Sequence, residues 1–149
     1  MIHCIRTNSE NPDFQKLVVA LDADLAIRDG EEHAFFSQFN KMSTLTYAMV
    51  AYENEVPVGC GAARDFSEDA MEIKRMYVPP EHRGKGIASI LLKELVQWIK
   101  ELNYSCCVLE TGKKQPEAIA LYIKRGYQSI PPYGQYKNVE NSVCFEKNL

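Results

Sequence analysis

The distribution of apolar and polar residues predicts alternating strands and helices along the 149 residues of this chain. The most informative stretch covers residues 71–102, in which an apolar, strand-like segment leads through a turn rich in glycine and basic residues into a long amphipathic segment. The amphipathic segment carries apolar residues at helical spacing, at Ile87, Leu91, Leu95, Trp98, Ile99 and Leu102. This spacing predicts a helix with one face in the core that begins directly after the basic turn.

The other periodic segments complete an order of strands and helices. Asn11 followed by Pro12 marks a helix start, and Gly30 and Gly126 mark helix ends. The segment between the first two helices is either a substrate lid or a plain connection. In chain order the predicted elements are strand 2–7, helix 12–29, a shorter helix 31–40, strands 44–52, 56–66 and 71–78, helix 87–102, strand 105–111, helix 115–125, and strands 127–130 and 142–147.

The central strand contains a change of phase. Ile73 starts an alternating pattern that would continue at Arg75 and Tyr77, but the apolar residues that follow are Met76 and Val78. An inserted residue that moves the alternation to the other phase is typical of a β-bulge. We therefore expect a bulge between Ile73 and Met76.

Composition and charge are those of an ordinary globular protein. Apolar residues make up 46% and charged residues 25%, and the length suits a single domain over residues 1–149. The formal net charge of −3 argues against broad nucleic-acid binding, which needs a basic surface. The chain has no apolar run of the ~20 residues that span a membrane and no secretory pattern at its N-terminus, so no membrane partner is expected.

The cysteines and histidines do not predict a cross-linked or metal-binding protein. The five cysteines form an odd set without CxxC spacing, and the three histidines are scattered. Disulfide scaffolds and zinc sites need regular spacing, so neither is expected, and no metal is predicted. Buried thiols in a reducing cytosol are the simpler interpretation, which predicts a cytoplasmic protein.

The turn before the long helix has the composition of an anion-binding loop. Gly84 and Gly86 allow close backbone approach, and Arg83 and Lys85 add positive charge. The first N–H groups of a helix have no internal partner, and the helix dipole is positive at that end. A strand that leads through such a loop into a helix therefore predicts a phosphate site.

Two common phosphate loops do not match this turn. A Walker loop is excluded because Pro79 stands where its first glycine should be, and the dinucleotide fingerprint is excluded because Ser89 replaces its third glycine. What remains is Arg83-x-x-Gly86-x-Ala88 at a strand-to-helix junction. This pattern resembles the acetyl-CoA pyrophosphate loop of the GNAT superfamily of N-acetyltransferases, Gln/Arg-x-x-Gly-x-Gly/Ala.

A second motif resembles the same superfamily. The run Ala118-x-x-Leu121-Tyr122-x-x-x-Gly126-Tyr127 is similar to its pattern Asn-x-x-Ala-x-x-Leu-Tyr-x-x-x-Gly-Phe/Tyr. Gln115 stands where the family usually has Asn. The two motifs occur in the correct order, and the resemblance covers residues 71–127.

The resemblance implies a fold and a cofactor site. The expected fold class is α/β (α+β), a GNAT-like single domain with a mixed, mostly antiparallel sheet of about six to seven strands, a bulged central strand and about four flanking helices. The loop amides would hold the pyrophosphate of acetyl-CoA, and the central strand would pair with its pantetheine arm and polarise the thioester carbonyl. The residues implied to bind acetyl-CoA are Met76, Tyr77, Val78, Arg83, Gly84, Lys85, Gly86, Ile87, Ala88 and Gln115.

Two residues are candidates for catalysis by this resemblance. Tyr122 would donate a proton to the departing CoA thiolate, or else it is a helix residue that packs on the sheet. Glu72 lies where many family members place a catalytic carboxylate, and it would help to deprotonate an acceptor amine of which less than about one part in a thousand is neutral at pH 7. Because a Glu near pKa ~4.3 is too weak to take that proton outright, Glu72 would act through water, with a raised pKa of its own, or on an amine whose pKa the site has lowered. The alternative is a surface carboxylate paired with Lys74 or Arg75.

The resemblance predicts direct acetyl transfer from acetyl-CoA to a primary amine of a small molecule, such as an amino acid or a related metabolite. Tyr133, Tyr136 and Glu72 would line the acceptor pocket. A protein acetyltransferase for lysine or N-terminal amines and a regulatory domain that binds acyl-CoA without turnover are the alternatives. Similar proteins are commonly homodimers, so self-association is a further option.

Overall fold

The computed structural model describes residues 1–29 and 45–149. Within these ranges the predicted order of strands and helices is confirmed, whereas the predicted helix 31–40 and the lid segment lie outside them. The elements are β1 (Ile2–Thr7), α1 (Pro12–Asp29), β2 (Tyr47–Glu53), β3 (Val56–Asp65), β4 (Ala70–Tyr77), α2 (Ile87–Glu101), β5 (Cys106–Gly112), α3 (Pro116–Lys124), β6 (Gln128–Ile130) and β7 (Ser142–Asn148).

The strands form one seven-stranded sheet in the order β1-β2-β3-β4-β5-β7-β6. Neighbouring strands are antiparallel except β4 and β5, which are parallel because α2 connects them. This mixed, mostly antiparallel sheet confirms the predicted fold class. The described ranges contain three α-helices, one fewer than the predicted number of about four. The predicted helix 31–40 lies outside these ranges.

Helix α1 begins where the sequence places its cap. The Asn11 side-chain oxygen accepts hydrogen bonds from the backbone N–H groups of Asp13 and Phe14, at 2.9 and 3.1 Å. These bonds satisfy two donors that a helix start leaves without an internal partner. No helix of the described residues is long and apolar enough to cross a membrane.

The sheet is covered on both faces. On one face, α2 buries its apolar stripe against the central strands, and the side chains of Leu91, Leu95 and Ile99 are inaccessible or nearly so. On the other face, α1 packs through Phe14 and Val18. Burying side chains of this size stabilises the fold by about 1.5–3 kcal/mol each. The central strand β4 therefore lies between two apolar layers.

Candidate functional site

Strand β4 carries the predicted bulge. Cys60 of β3 pairs with Tyr77 and Ala62 pairs with Lys74, so a single residue of β3 faces two residues of β4. Arg75, inside this irregularity, has a φ of 59°, which is uncommon for a residue with a side chain. The bulge confirms the phase change read from the sequence.

The bulge changes which face each side chain of β4 occupies. Ile73 before it and Val78 after it both belong to the core under α2, although an odd number of positions separates them. Tyr77 lies in the core under α1 on the opposite face. A regular strand would place Ile73 and Tyr77 on the same face, so the bulge turns the end of β4 over.

The parallel strands β4 and β5 separate beyond the bulge. Their last pair joins Ile73 to Leu109, although β5 continues to Gly112. Among the described residues, no strand pairs with the edge of β4 that faces β5 after Ile73. Unpaired backbone groups at a strand edge accept an extended ligand as an added strand.

A cavity of about 300 Å³, here called the loop-side groove, opens at this separation. It extends from the end of β4 to the start of α2, and α3 closes its other side. Its lining includes most of the residues that the sequence predicts for the cofactor. These are Met76, Tyr77, Val78, Arg83, Gly86, Ile87, Ala88 and Gln115.

The glycine-rich loop presents its backbone to the groove. Gly86 caps α2 with a φ of 77°, and none of the described atoms would lie within 4 Å of a Cβ added there. Residues 83–86 are exposed and lead directly into the first turn of α2, where the N–H groups of a helix have no internal partner. Gly84 and Lys85, which the sequence also predicts, lie in this exposed loop. The Lys85 ammonium is 3.7 Å from a Glu53 oxygen.

The Arg83 side chain holds the loop onto the strand. Its Nε donates a hydrogen bond of 2.8 Å to the carbonyl of Val78, and its guanidinium lies 5.8 Å from the centre of the Tyr77 ring. The sequence predicted positive charge at this position but not this contact. Arg83 therefore also fixes the geometry by which the loop leaves β4.

A second cavity of about 100 Å³, here called the acceptor-side cavity, adjoins the groove. Polar side chains of β4 and β5 line it, among them Glu72, Lys74 and Glu110. The two cavities share a boundary, because the same side chains line both. These shared residues are Leu21, Met76, Gln115, Ala118 and Tyr122.

Tyr122 lies at this boundary and is almost completely buried. Its ring contacts Tyr127 and Phe145, with centroids 5.6 and 5.9 Å away. Burial, aided by the negative charge of Glu110, raises the pKa of the Tyr122 phenol well above its ordinary value. The phenol therefore keeps its proton at neutral pH and is available as a hydrogen-bond donor. The packing interpretation and the catalytic one are compatible, because the residue both packs and faces the boundary.

Glu72 is buried rather than at the surface, with 1% of its area exposed. One carboxylate oxygen accepts a 2.8 Å hydrogen bond from Arg64 Nε, and the other accepts a 2.7 Å bond from the Tyr133 hydroxyl. The alternative of a surface carboxylate paired with Lys74 or Arg75 is therefore wrong. The reason is tertiary, because Arg64 comes from the neighbouring strand and Tyr133 from the segment between β6 and β7.

Lys74 is a buried cation that the sequence did not single out. Its side-chain nitrogen lies 3.4 Å from the Tyr136 hydroxyl, and burial lowers the pKa of its ammonium group. Glu72 and Glu110 oppose that decrease, while Arg64 and Arg75 add to it. The alternation of Glu72 and Lys74 along a strand is the signal that could have placed both on one face. No signal in the sequence pointed to Glu110 or Arg64.

The bulge is also tied to α1. Arg75 Nη1 donates a 2.7 Å hydrogen bond to Asp22 of that helix, and its side chain is only 4% exposed. The Cys60 thiol donates to the Arg75 carbonyl at 3.3 Å. These contacts hold the unusual backbone of Arg75 in place from two sides.

All five cysteines are free thiols; Cys60, Cys107 and Cys144 are buried, whereas Cys4 and Cys106 are partly exposed. Burial raises the pKa of Cys60 to about 12 and that of Cys107 to about 11. Because the thiolate is the reactive form, these two residues are poor nucleophiles at neutral pH.

Comparison with known proteins identifies acetyltransferases and a related acyltransferase as similar in sequence and structure. The sequence pattern of the acetyltransferase (GNAT) family matches residues 11–127. An IAA acetyltransferase of Azospirillum brasilense is 38% identical over 102 residues, which are 68% of this chain and 67% of that protein. A Klebsiella pneumoniae structure, proposed as an acyl-CoA N-acyltransferase, is 31% identical with a TM-score of 0.84 and covers 100% of this chain and 98% of its own.

The fold is also that of structures with a bound cofactor. A GNAT family acetyltransferase of Elizabethkingia anophelis with acetyl-CoA bound has a TM-score of 0.72 and 19% identity, and the match covers 99% of this chain and 98% of that one. At this identity the likeness establishes the fold. The chain spans about half to two thirds of the length of the curated relatives that it matches.

Proposed function

Since this chain belongs to the GNAT family of acetyltransferases, we propose that it transfers the acetyl group of acetyl-CoA directly to a primary amine of a small molecule, such as an amino acid or a related metabolite. The observation that carries the proposal is the contact between a long groove and a small polar cavity at Met76 and Tyr122. A thioester at this boundary would face an amine in the acceptor-side cavity. Residues 1–149 would form one N-acetyltransferase domain.

The loop-side groove would hold acetyl-CoA. The exposed loop from Arg83 to Gly86 suits a diphosphate, because it leads directly into the positive end of the α2 dipole. The unpaired edge of β4 suits the amide groups of the pantetheine arm, and Gln115 lines the groove on the α3 side. The N–H groups near Met76 and Val78 would then polarise the thioester carbonyl.

Tyr122 would act on the leaving group. As the amine nitrogen forms a bond to the acetyl carbon, the carbon–sulfur bond breaks and its electron pair leaves on sulfur. The phenol can donate a hydrogen bond or its proton to that thiolate, and the proton released by the amine balances the transfer. Its buried position, in contact with both cavities, supports this role.

Glu72 would assist the acceptor. Its buried carboxylate lines the acceptor-side cavity, but both oxygens already accept a hydrogen bond. A carboxylate oxygen has a second lone pair, so Glu72 can still hold a water molecule or the ammonium group of an acceptor. Deprotonation through a water molecule is the form of base catalysis that this arrangement suits.

The proposal is tested by following CoA release in a panel of amines. Acetyl-CoA should raise the melting temperature whether or not the protein is an enzyme. Release of free CoA that depends on a small amine supports the proposal, and release only with peptides identifies a protein acetyltransferase. A rise in melting temperature without release for any amine identifies a regulatory acyl-CoA-binding domain. The homodimer and the cytoplasmic location stay predictions.

A further inference from the structure

The charges of the acceptor-side cavity are mixed, which is unusual for a pocket that receives a cation. Glu72 and Glu110 contribute negative charge, and Lys74 contributes an ammonium group. An acceptor amine approaches mainly as a cation, which the two carboxylates suit. A buried lysine beside it would repel that cation unless the acceptor also carries a negative group.

The ammonium group of Lys74 has few hydrogen-bond partners in this position. It is 91% buried by area, since its exposed fraction is 9%. An ammonium group has three donors, yet the contact of its nitrogen with the Tyr136 hydroxyl is long, at 3.4 Å. Within residues 1–29 and 45–149, Lys74 forms no salt bridge. A buried ammonium with unused donors costs free energy that a bound anion would offset.

Among the described residues, the nearby carboxylates form no salt bridge with Lys74, and each has another hydrogen-bond partner. Glu72 is engaged by Arg64 and Tyr133, and Glu110 accepts a 2.8 Å hydrogen bond from Ser142. Arg75, the other cation on this part of β4, is engaged by Asp22. Among the described residues that line this cavity, Lys74 is therefore the cation without a salt bridge and is placed to meet a ligand.

We propose that Lys74 binds a carboxylate group of the acceptor, so that the acceptor is an amino acid whose carboxylate and amine are separated by a few bonds. This inference rests on the proposed function. Lys74 and Met76 flank the bulge residue Arg75 and both line the acceptor-side cavity, and Met76 also lines the groove, so Lys74 lies close to the boundary at which the thioester would lie. The cavity of about 100 Å³ also suits a short acceptor. Glu72 and Glu110 then face the ammonium end of the same molecule.

The test compares matched acceptors in the wild type and in Lys74→Met. Each short amino acid is assayed beside its carboxamide, which keeps the amine and the shape but loses the negative charge. We expect the ratio of kcat/KM for acid over carboxamide to decrease at least 10-fold in Lys74→Met. Lys93→Met, which removes an exposed lysine of α2, should leave the ratio unchanged. An equal loss for both members of each pair would overturn the inference, because a structural role would affect both.

A binding measurement separates this inference from the proposed function. The protein is labelled with ¹³C-methyl groups on its lysines, and the Lys74 resonance is identified by its absence in Lys74→Met. With CoA present, glycine and β-alanine should shift this resonance, and their carboxamides should not. A resonance that responds to no carboxylate overturns the inference even if amines are acetylated. A response without CoA release from any amine supports the inference and refutes the proposed enzyme.

Discussion

The Tyr133 hydroxyl donates a 2.7 Å hydrogen bond to Oε2 of Glu72, a residue on the central strand. The contact joins the segment between β6 and β7 to the bulged strand, and with the bond from Arg64 it gives each oxygen of this buried carboxylate a donor. The Tyr133 phenol keeps its proton, because burial and the neighbouring Glu72 raise its pKa. The bond therefore holds the candidate base in one orientation.

Tyr133→Phe should lower the free energy of unfolding by about 1.5–3 kcal/mol, the usual effect of losing a hydrogen bond to a charged group. Urea denaturation followed by fluorescence measures this change. Tyr104→Phe is the matched control, because the Tyr104 hydroxyl donates a 2.6 Å bond to Asp65 at the surface. We expect a smaller decrease there, because water competes for a hydrogen bond at the surface. An equal decrease in the free energy of unfolding of the two variants would contradict the idea that burial strengthens the hydrogen bond to Glu72.

Glu72→Gln should reduce the rate most at low pH. In the wild type the base allows the ammonium form of the acceptor to react, whereas the variant depends on free amine, which falls 10-fold per pH unit below the amine pKa. The ratio of wild-type to variant kcat/KM should therefore rise as pH falls from 9 to 7. A ratio that stays constant over this range would exclude Glu72 as the base.

Tyr122→Phe should lower kcat by about 10²-fold, within the range of general acid catalysis, and change the Kd for acetyl-CoA by less than about 3-fold. Rapid-quench kinetics and calorimetry measure the two quantities. Tyr127→Phe is the control, since Tyr127 is also buried in this core but its hydroxyl accepts from the Cys107 thiol instead of facing a cavity. Wild-type turnover in Tyr122→Phe would remove Tyr122 from the mechanism.

Gly86→Val should prevent the stabilisation of the protein by acetyl-CoA. Gly86 has a φ of 77°, a conformation in which a β-branched residue is strained by about 1–2 kcal/mol, so the loop would change its backbone. Thermal unfolding with and without acetyl-CoA measures the effect. Gly134→Val introduces similar strain at a φ of 52° in the segment before β7, and it should retain the acetyl-CoA effect. Equal binding by both variants would refute the pyrophosphate assignment.

Lys74→Met should make the protein more stable at neutral pH, by about 1 kcal/mol or about 2–4 °C in melting temperature. Burial lowers the pKa of Lys74 in the folded state below its ordinary value of 10.5, so the folded state carries the full cost of the charge below that lowered pKa. The cost decreases as pH rises through the folded pKa towards 10.5. The difference between variant and wild type should shrink over the same interval, and a difference independent of pH would contradict this origin.

The sequence determined the order of elements and the position of the glycine-rich loop before α2 because both depend on local rules. Asn11 and Pro12 define the start of α1, and the spacing of Ile87, Leu91 and Leu95 defines the buried face of α2. The bulge was readable as well, because the alternation of strand residues is strict enough for one inserted residue to change its phase.

Only the tertiary structure decided the environment of the polar residues. Arg64 reaches Glu72 through strand pairing, and Tyr133 reaches it from a segment far along the chain. Lys74 is a buried cation because Tyr136 and the sheet enclose it. The free energy of a charge depends on which groups surround it in space, and a linear pattern does not contain that information. For this reason the sequence located the candidate catalytic groups, whereas the fold set their partners and the charges of the acceptor-side cavity.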